Sequence, residues 1–319
     1  MGGRTASSQA KCVGHSSRHF DRDCALLGPH SSPPPHAEEG VVAGTLKGRL
    51  AFSVARNPSN ASVAKSMKVL QRLLIILYGV SAYAAFVASL VYALAWLANI
   101  LVPKTIDGGP ATTSPGAATA INLLLLTAFA VQHSVMARPG FKRWWTRIIP
   151  RAVERSTYVL ASSMLLFAVC LGWRSLPAVV WQVHGAAAFA LSALFWIGWL
   201  VGFASTFMID HFDLFGLRQT IARRSSSPSA PTFRTPLLYR YVRHPLMFGL
   251  LIAFWSTPLM TAGHLLFAIA STLYIALGVR LEERDLVREF GAAYLSYRKR
   301  VPMLLPGTKL RRRADQQST

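Results

Sequence analysis

The chain has 319 residues, 52% of them hydrophobic and 15% charged, with a net charge of +21. A soluble domain carries about a quarter of its residues as charges, so this composition argues against a water-soluble globule. The basic balance suits either nucleic-acid binding or a membrane protein with arginines at one face. The arginines here flank apolar runs rather than forming one groove, so no nucleic-acid partner is expected.

Residues 1–66 are rich in Ser, Gly, Pro and Arg, include Pro33-Pro34-Pro35 and hold few large apolar residues. They cannot bury enough surface to fold alone, and they lack the apolar run of a secretory signal. They are expected to be a disordered or targeting extension, or to precede a true start at Met67, which is followed by Lys68 and an apolar run. Residues 67–306 then form the membrane domain, and 307–319 a basic tail. The three cysteines, Cys12, Cys24 and Cys170, form no CxxC pair, so neither a disulfide framework nor a cysteine metal site is expected. Cys170 sits inside an apolar run and reads as a small hydrophobe.

Five apolar stretches follow: Val69–Val102, Ala117–Ala137, Thr157–Trp173, Val183–Ile209 and Pro245–Val279. Each is near or above the ~20 residues needed to span a bilayer. The third is short and needs its flanks. The fifth is too long for one straight span, and Pro258 and Gly263 break it into a hairpin of two helices. The fold class expected is an all-α integral membrane protein with five to six crossings and a cytoplasmic amphipathic helix after the hairpin. Arg138, Lys142, Arg143, Arg147, Arg151 and Arg155 crowd the segment between the second and third spans. Arg218, Arg223, Arg224, Arg234, Arg240 and Arg243 precede the hairpin, whereas only Lys104 and Arg174 follow the first and third spans. The positive-inside rule puts both termini and both basic loops in the cytoplasm. Residues 225–236 (SSSPSAPTFRTP) read as a flexible loop. The HFDLFGL stretch from His211 to Leu217 reads as an interfacial turn anchoring the fourth span.

The final stretch carries the chemistry. Arg240, Arg243, His244 and Pro245 open it, and Glu282, Glu283, Arg284 and Asp285 follow the hairpin. Charged groups at such a boundary are costly in hydrocarbon and suggest a site at the interface. Leu286, Phe290, Ala293, Tyr294, Tyr297 and Val301 recur at three and four residues, one face of a helix. A plainer reading is an amphipathic helix lying on the membrane, with Glu282 and Glu283 as helix-start residues favoured by the dipole.

Arg243-His244-Pro245 with Gly249, then Glu282-Glu283 with Phe290-Gly291, Tyr294, Tyr297 and Val301-Pro302, resembles the C-terminal signature of membrane methyltransferases related to isoprenylcysteine carboxyl methyltransferase. VQHSVMARPGFKRWWTRIIP (131–150), STFMIDHFDLFGLRQ (205–219) and FWSTPLMTAGHLLFA (254–268) narrow the resemblance to the bacterial-type methanethiol S-methyltransferases. The likeness covers roughly Met67 to Pro306. It implies S-adenosylmethionine as methyl donor, held by Tyr239, Arg243, His244, Pro245, Gly249, Glu282, Glu283, Tyr294 and Tyr297. It also implies methanethiol as acceptor, with an isoprenylcysteine carboxylate or another small lipophile as the alternative. A membrane subunit that reuses the fold without catalysis is the rival outside enzymology.

Neither a Gly-rich βαβ fingerprint nor a P-loop is present, so a nucleotide-like donor would need another architecture. Methyl transfer to a thiol asks for alignment more than acid–base machinery, and alignment can supply about 7–11 kcal/mol. The thiolate is the reactive form. His244 or His211 could take the proton, and Arg243 or Arg218 could stabilise the anion. His133, His184, His211, His244 and His264 are far apart in sequence and form no metal motif, so no metal is expected.

Overall fold

The computed structural model describes residues 58–109, 113–221 and 235–307. The extension up to residue 57 with Cys12 and Cys24, most of the Ser/Pro loop, and the tail from residue 308 lie outside the described residues. The elements run α1 (Pro58–Ala98), α2 (Pro115–Ala137), α3 (Pro139–Trp145), α4 (Glu154–Gly172), β1 (Val179–Gln182), α5 (Gly185–Ile209), α6 (His211–Leu214), α7 (Leu217–Ile221), α8 (Pro245–Trp255), β2 (Leu259–Thr261) and α9 (Ala262–Arg300). Of these, α1, α2, α4, α5 and α9 are long and apolar enough to cross a membrane. This is a multi-pass membrane protein.

The first four spans lie where their apolar runs put them. Pro58 opens α1, and residues 59–66 contain no helix breaker. The helix therefore runs through Met67, and the domain boundary expected there falls inside α1. The Ser114 side chain caps α2 by accepting from the Ala117 amide. At the short third span, α4 begins three residues before Thr157 and is preceded by a 3-10 turn over Arg151–Val153, so its flanks supply the missing length.

The fifth run forms the expected hairpin, α8 and α9, with unequal arms. Its first arm, α8, is only 11 residues long, and the break covers Ser256–Thr261. At 1.5 Å per residue α8 extends about 16 Å, half of a hydrocarbon core. Extended backbone completes the crossing. The β2 strand pairs antiparallel with β1, just before the start of α5. Non-helical backbone at that depth must be satisfied within the protein. Here the Phe254 carbonyl faces His264 Nε2 at 3.2 Å, the Thr257 carbonyl accepts from Trp181 Nε1, and the Pro258 carbonyl accepts from the Val183 amide. Gly263 lies inside the first turn of α9, not in the break.

The half-length helix is held by close packing on α5. Gly198 and Gly202 face Gly249 and Ala253. A Cβ on Gly249 would fall 2.6 Å from the Gly202 nitrogen, and one on Gly198 2.6 Å from the Gly249 carbonyl oxygen. Small residues four apart on both helices let the backbones touch, the usual basis of helix association in lipid. Beside this seam the apolar core centres on Trp96, Trp173, Phe254 and Phe267, with Cys170 buried among them. Edge-on ring contacts join Phe267 to Trp96 and Phe254 at 5.5 and 5.0 Å.

The expected separate amphipathic helix is instead the far end of α9. Gly291 (φ 53°, ψ −126°) breaks the helix, and residues 292–300 fold back. Tyr294, Tyr297 and Val301 then pack against Leu286, Val287 and Phe290. The three- and four-residue spacing thus marks two short faces that meet across a bend, not one continuous stripe. Nor do Glu282 and Glu283 start a helix. They lie about 32 Å along α9 from Ala262, one hydrocarbon thickness from its start. The dipole-favoured helix-start reading is thereby corrected.

A Cβ at Gly291 would meet nothing within 4 Å, so Gly291→Ala carries backbone strain without a clash. It should destabilise the protein by about 1–3 kcal/mol. A thermal midpoint in detergent equal to the parent's would mean that the bend does not depend on glycine.

Candidate active site at the basic end

The basic segments gather at one end of the spans, and there the α8 start meets the bent end of α9. The Arg243 and His244 amides donate to the Pro302 and Met303 carbonyls at 3.0 and 3.3 Å, stitching the two segments together. Tyr297 Oη donates to the Tyr239 carbonyl at 2.5 Å.

Glu283 is the centre of this junction. Its side chain is 8% exposed, and Arg243 is likewise buried. Arg243 grips it in a fork, Nε to Oε1 at 2.7 Å and Nη2 to Oε2 at 3.0 Å. Tyr294 Oη donates to Oε1 at 2.6 Å, and His244 Nε2 approaches the same oxygen at 3.0 Å. Arg298 Nε adds a longer contact to Oε2 at 3.6 Å. Arg243 Nη1 also donates to the Arg298 and Val301 carbonyls, at 3.0 and 2.7 Å, near the C-terminal end of α9. In a straight helix Glu283 and Tyr294 would lie about 16 Å apart along the axis, so this bond requires the bend at Gly291.

His244 lies between two carboxylates, with Nε2 on Glu283 and Nδ1 3.4 Å from Glu282 Oε2. Burial alone would lower its pKa, but the two carboxylates outweigh it and hold the pKa above the ordinary histidine value. A carboxylate at each ring nitrogen favours the doubly protonated ring. A ring that donates at both nitrogens has no lone pair for a substrate proton. Both nitrogens of His244 are engaged by carboxylates, within the junction that also holds Arg243.

Glu282 differs from its neighbour. Its side chain is 52% exposed. Burial, then the charge of Glu282, raises the Tyr239 phenol above its ordinary pKa. Tyr239 and Glu282 thus form an accessible lip over the buried junction. Pro245 is fully buried at the first position of α8, where its fixed φ suits a helix start. Gly249 lies one turn into α8, in the seam with α5, where its missing side chain permits the close approach to Gly198 and Gly202.

His211 lies in a separate cage at the same end. Phe207 stacks on its ring at 4.2 Å, with Phe203, Phe212 and Phe215 around it. Its ring nitrogens meet Tyr83 Oη at 2.9 Å and Thr206 Oγ1 at 2.8 Å. Tyr83, in the middle of the first apolar run, had no sequence signal. Arg218 pairs with Asp210, and Arg155 with Asp213 at 2.7 Å, which ties α6 to the start of α4.

The other histidines are scattered. His133 bonds Tyr158 within the spans. His264 is fully buried at the opposite end, facing Asp107 Oδ2 at 3.3 Å. His184 immediately precedes α5, and its side chain makes no capping hydrogen bond. Among the described residues no three His, Cys, Asp or Glu side chains gather to hold a metal ion.

No protein-family model and no solved structure matches the chain. Curated proteins do. A methanethiol S-methyltransferase 2 of Bradyrhizobium diazoefficiens is 58% identical over 245 residues, 76% of this chain and 94% of that protein. A methanethiol S-methyltransferase of Mycobacterium tuberculosis is 51% identical over 239 residues, 74% of this chain and 98% of that one. Nurim of Rattus norvegicus is 29% identical over 180 residues, 53% of this chain and 68% of its own. With more than half of the residues shared across almost the whole of the first two proteins, this chain belongs to the methanethiol S-methyltransferase family.

Proposed function

We propose that the protein transfers a methyl group from S-adenosylmethionine to methanethiol, giving dimethyl sulfide, at the basic end of its spans. The observation that carries this reading is the Glu283 junction. A membrane protein has little reason to bury an arginine, an imidazolium and a carboxylate together unless a fixed polar floor is needed there.

The residues fit the proposed donor. It carries a sulfonium cation, ribose hydroxyls, an adenine ring and an amino-acid end. Glu282 offers a half-exposed carboxylate to a cation or hydroxyl, and Tyr239 an aromatic face. Arg240, exposed beside them, offers a cation to a carboxylate. When bound, the donor supplies an electrophilic methyl group. The chain supplies orientation: Glu283 locks Arg243 and His244, and His244 in turn aims Glu282. In this reading Glu283 positions the site and Glu282 contacts the donor. The experiment that tests the function is a headspace assay. Membranes holding the protein, supplied with S-adenosylmethionine and methanethiol, should release dimethyl sulfide. No dimethyl sulfide from correctly inserted protein would sink the proposal.

The division between the two glutamates has its own test. Glu282→Gln should weaken S-adenosylmethionine binding about ten-fold in calorimetry, equivalent to about 1.4 kcal/mol, with little change in thermal midpoint. Glu283→Gln leaves Arg243 and His244 buried beside a neutral group, so it should lower stability as well; breaking such a pair typically costs about 3–5 kcal/mol. A Glu283→Gln protein as stable as the parent would refute the positioning role.

The basic end is proposed to face the cytoplasm, where the donor is made. Arg138, Lys142, Arg143, Arg147, Arg151 and Arg155 lie at this end, against Lys104 and Arg174 at the other. A reporter fused after Pro306 should read cytoplasmic, and one near Gly108 external. The reverse pattern would remove the donor site from the donor.

A further inference from the structure

We propose that the thiol proton is taken by the Tyr83–His211 pair, with Tyr83 as the group that meets the acceptor and His211 as the final base. This deepens the methyl-transfer reading and rests on it.

The proton positions follow from the hydrogen bonds. The Thr206 hydroxyl has one hydrogen, and it goes to the Phe203 carbonyl at 2.7 Å. With that hydrogen on the carbonyl, Thr206 Oγ1 accepts from a protonated His211 Nδ1 at 2.8 Å. His211 Nε2 then holds the lone pair of a neutral ring, and Tyr83 Oη donates to it at 2.9 Å. Apolar burial keeps the resting ring neutral by lowering its pKa. The ring is 2% exposed, whereas Tyr83 is half-buried, so access to the base runs through the phenol. The nearby charges are occupied: Asp210 is paired with Arg218, and Asp213 with Arg155. Among the described residues no charged side chain hydrogen-bonds the His211 ring.

The pair also stands at the right level. Across the α5–α8 seam, a Cβ on Gly202 would lie 3.5 Å from Leu246. Thr206 is one turn beyond Gly202 toward the basic end, and His244 precedes Leu246 toward the same end. His211, held by Thr206, and His244, held by the two glutamates, therefore flank one end of the same helix pair. His244 has a carboxylate at each ring nitrogen, whereas His211 meets only hydroxyl groups, so the two histidines divide the work.

In the step itself, the thiol S–H bond breaks and its proton goes to Tyr83 Oη. The proton already on Tyr83 moves to His211 Nε2. The sulfur lone pair forms the new bond to the methyl group as the bond to the sulfonium sulfur breaks, leaving two neutral thioethers. The imidazolium then donates at both nitrogens, to Thr206 and Tyr83, until it releases its proton to water.

The test compares Tyr83→Phe and His211→Gln with the parent, by dimethyl sulfide release across a pH series and by S-adenosylmethionine calorimetry. Loss of a general base should slow turnover about a hundred-fold or more near neutrality. Donor affinity should not change. Raising the pH toward the range where thiols ionise in water should restore much of the rate, because the substrate then arrives as thiolate. Rates equal to the parent at neutral pH would overturn the assignment, as would a loss that high pH does not rescue. Tyr83→Phe removes one oxygen and keeps the ring, so it decides the matter if His211→Gln does not fold. No dimethyl sulfide from the parent protein would instead defeat the methyl-transfer reading beneath.

Discussion

The junction of α8 with the bent end of α9 depends on the carboxylate of Glu283 being saturated. Arg243, His244 and Tyr294 make four contacts to it within 3.0 Å, from two segments far apart in the chain. Desolvating such a set is expensive, and it is tolerable only because each charge meets its opposite with good geometry. The consequence is rigidity. Arg243 spends four contacts, two on Glu283 and two on carbonyls near the end of α9, so the start of α8 cannot shift without opening the whole junction. A methyl transfer that relies on alignment benefits from such a floor, since small displacements reduce the gain from holding two reactants in line.

The same end joins two kinds of packing. On one side the α5–α8 seam is backbone against backbone, made possible by Gly198, Gly202 and Gly249. On the other, the bent end of α9 is closed by tyrosines and a salt bridge. Apolar surface gives little net attraction between helices in lipid, so close approach and polar bonding must do the joining. Glycine at both places serves geometry: one kind permits contact, and Gly291 permits a bend.

Much of this was legible from sequence. The apolar runs located the spans because hydrocarbon thickness sets their length, and the arginine distribution marked one end. Arg243, His244 and Glu283 stood out because charge beside a span is rare. What was hidden depended on backbone conformation and distant pairing. The spacing of Phe290, Tyr294 and Tyr297 suits both a straight helix and a folded one, and only the φ of Gly291 separates them. Gly249 looked like part of a motif, yet its neighbours are on α5, which no local pattern reveals. Tyr83 lies in an apolar run with nothing to mark it until His211 is brought beside it across 128 residues. Likewise Asp107 gave no signal of its clasp on Thr261 and His264 at the opposite end.

The half-helical crossing bears on how the chain enters the membrane. An apolar helix of 11 residues is too short to span unaided, and the extended backbone that completes the crossing finds its partners on β1 and the residue after it. Those partners precede α5 and are synthesised earlier. The short arm of the C-terminal hairpin therefore rests on α5 and β1, which are synthesised before it. The Glu283 junction needs both ends of that hairpin, from Arg243 to Tyr294. A nascent chain exposes no finished site until its final span has been accepted.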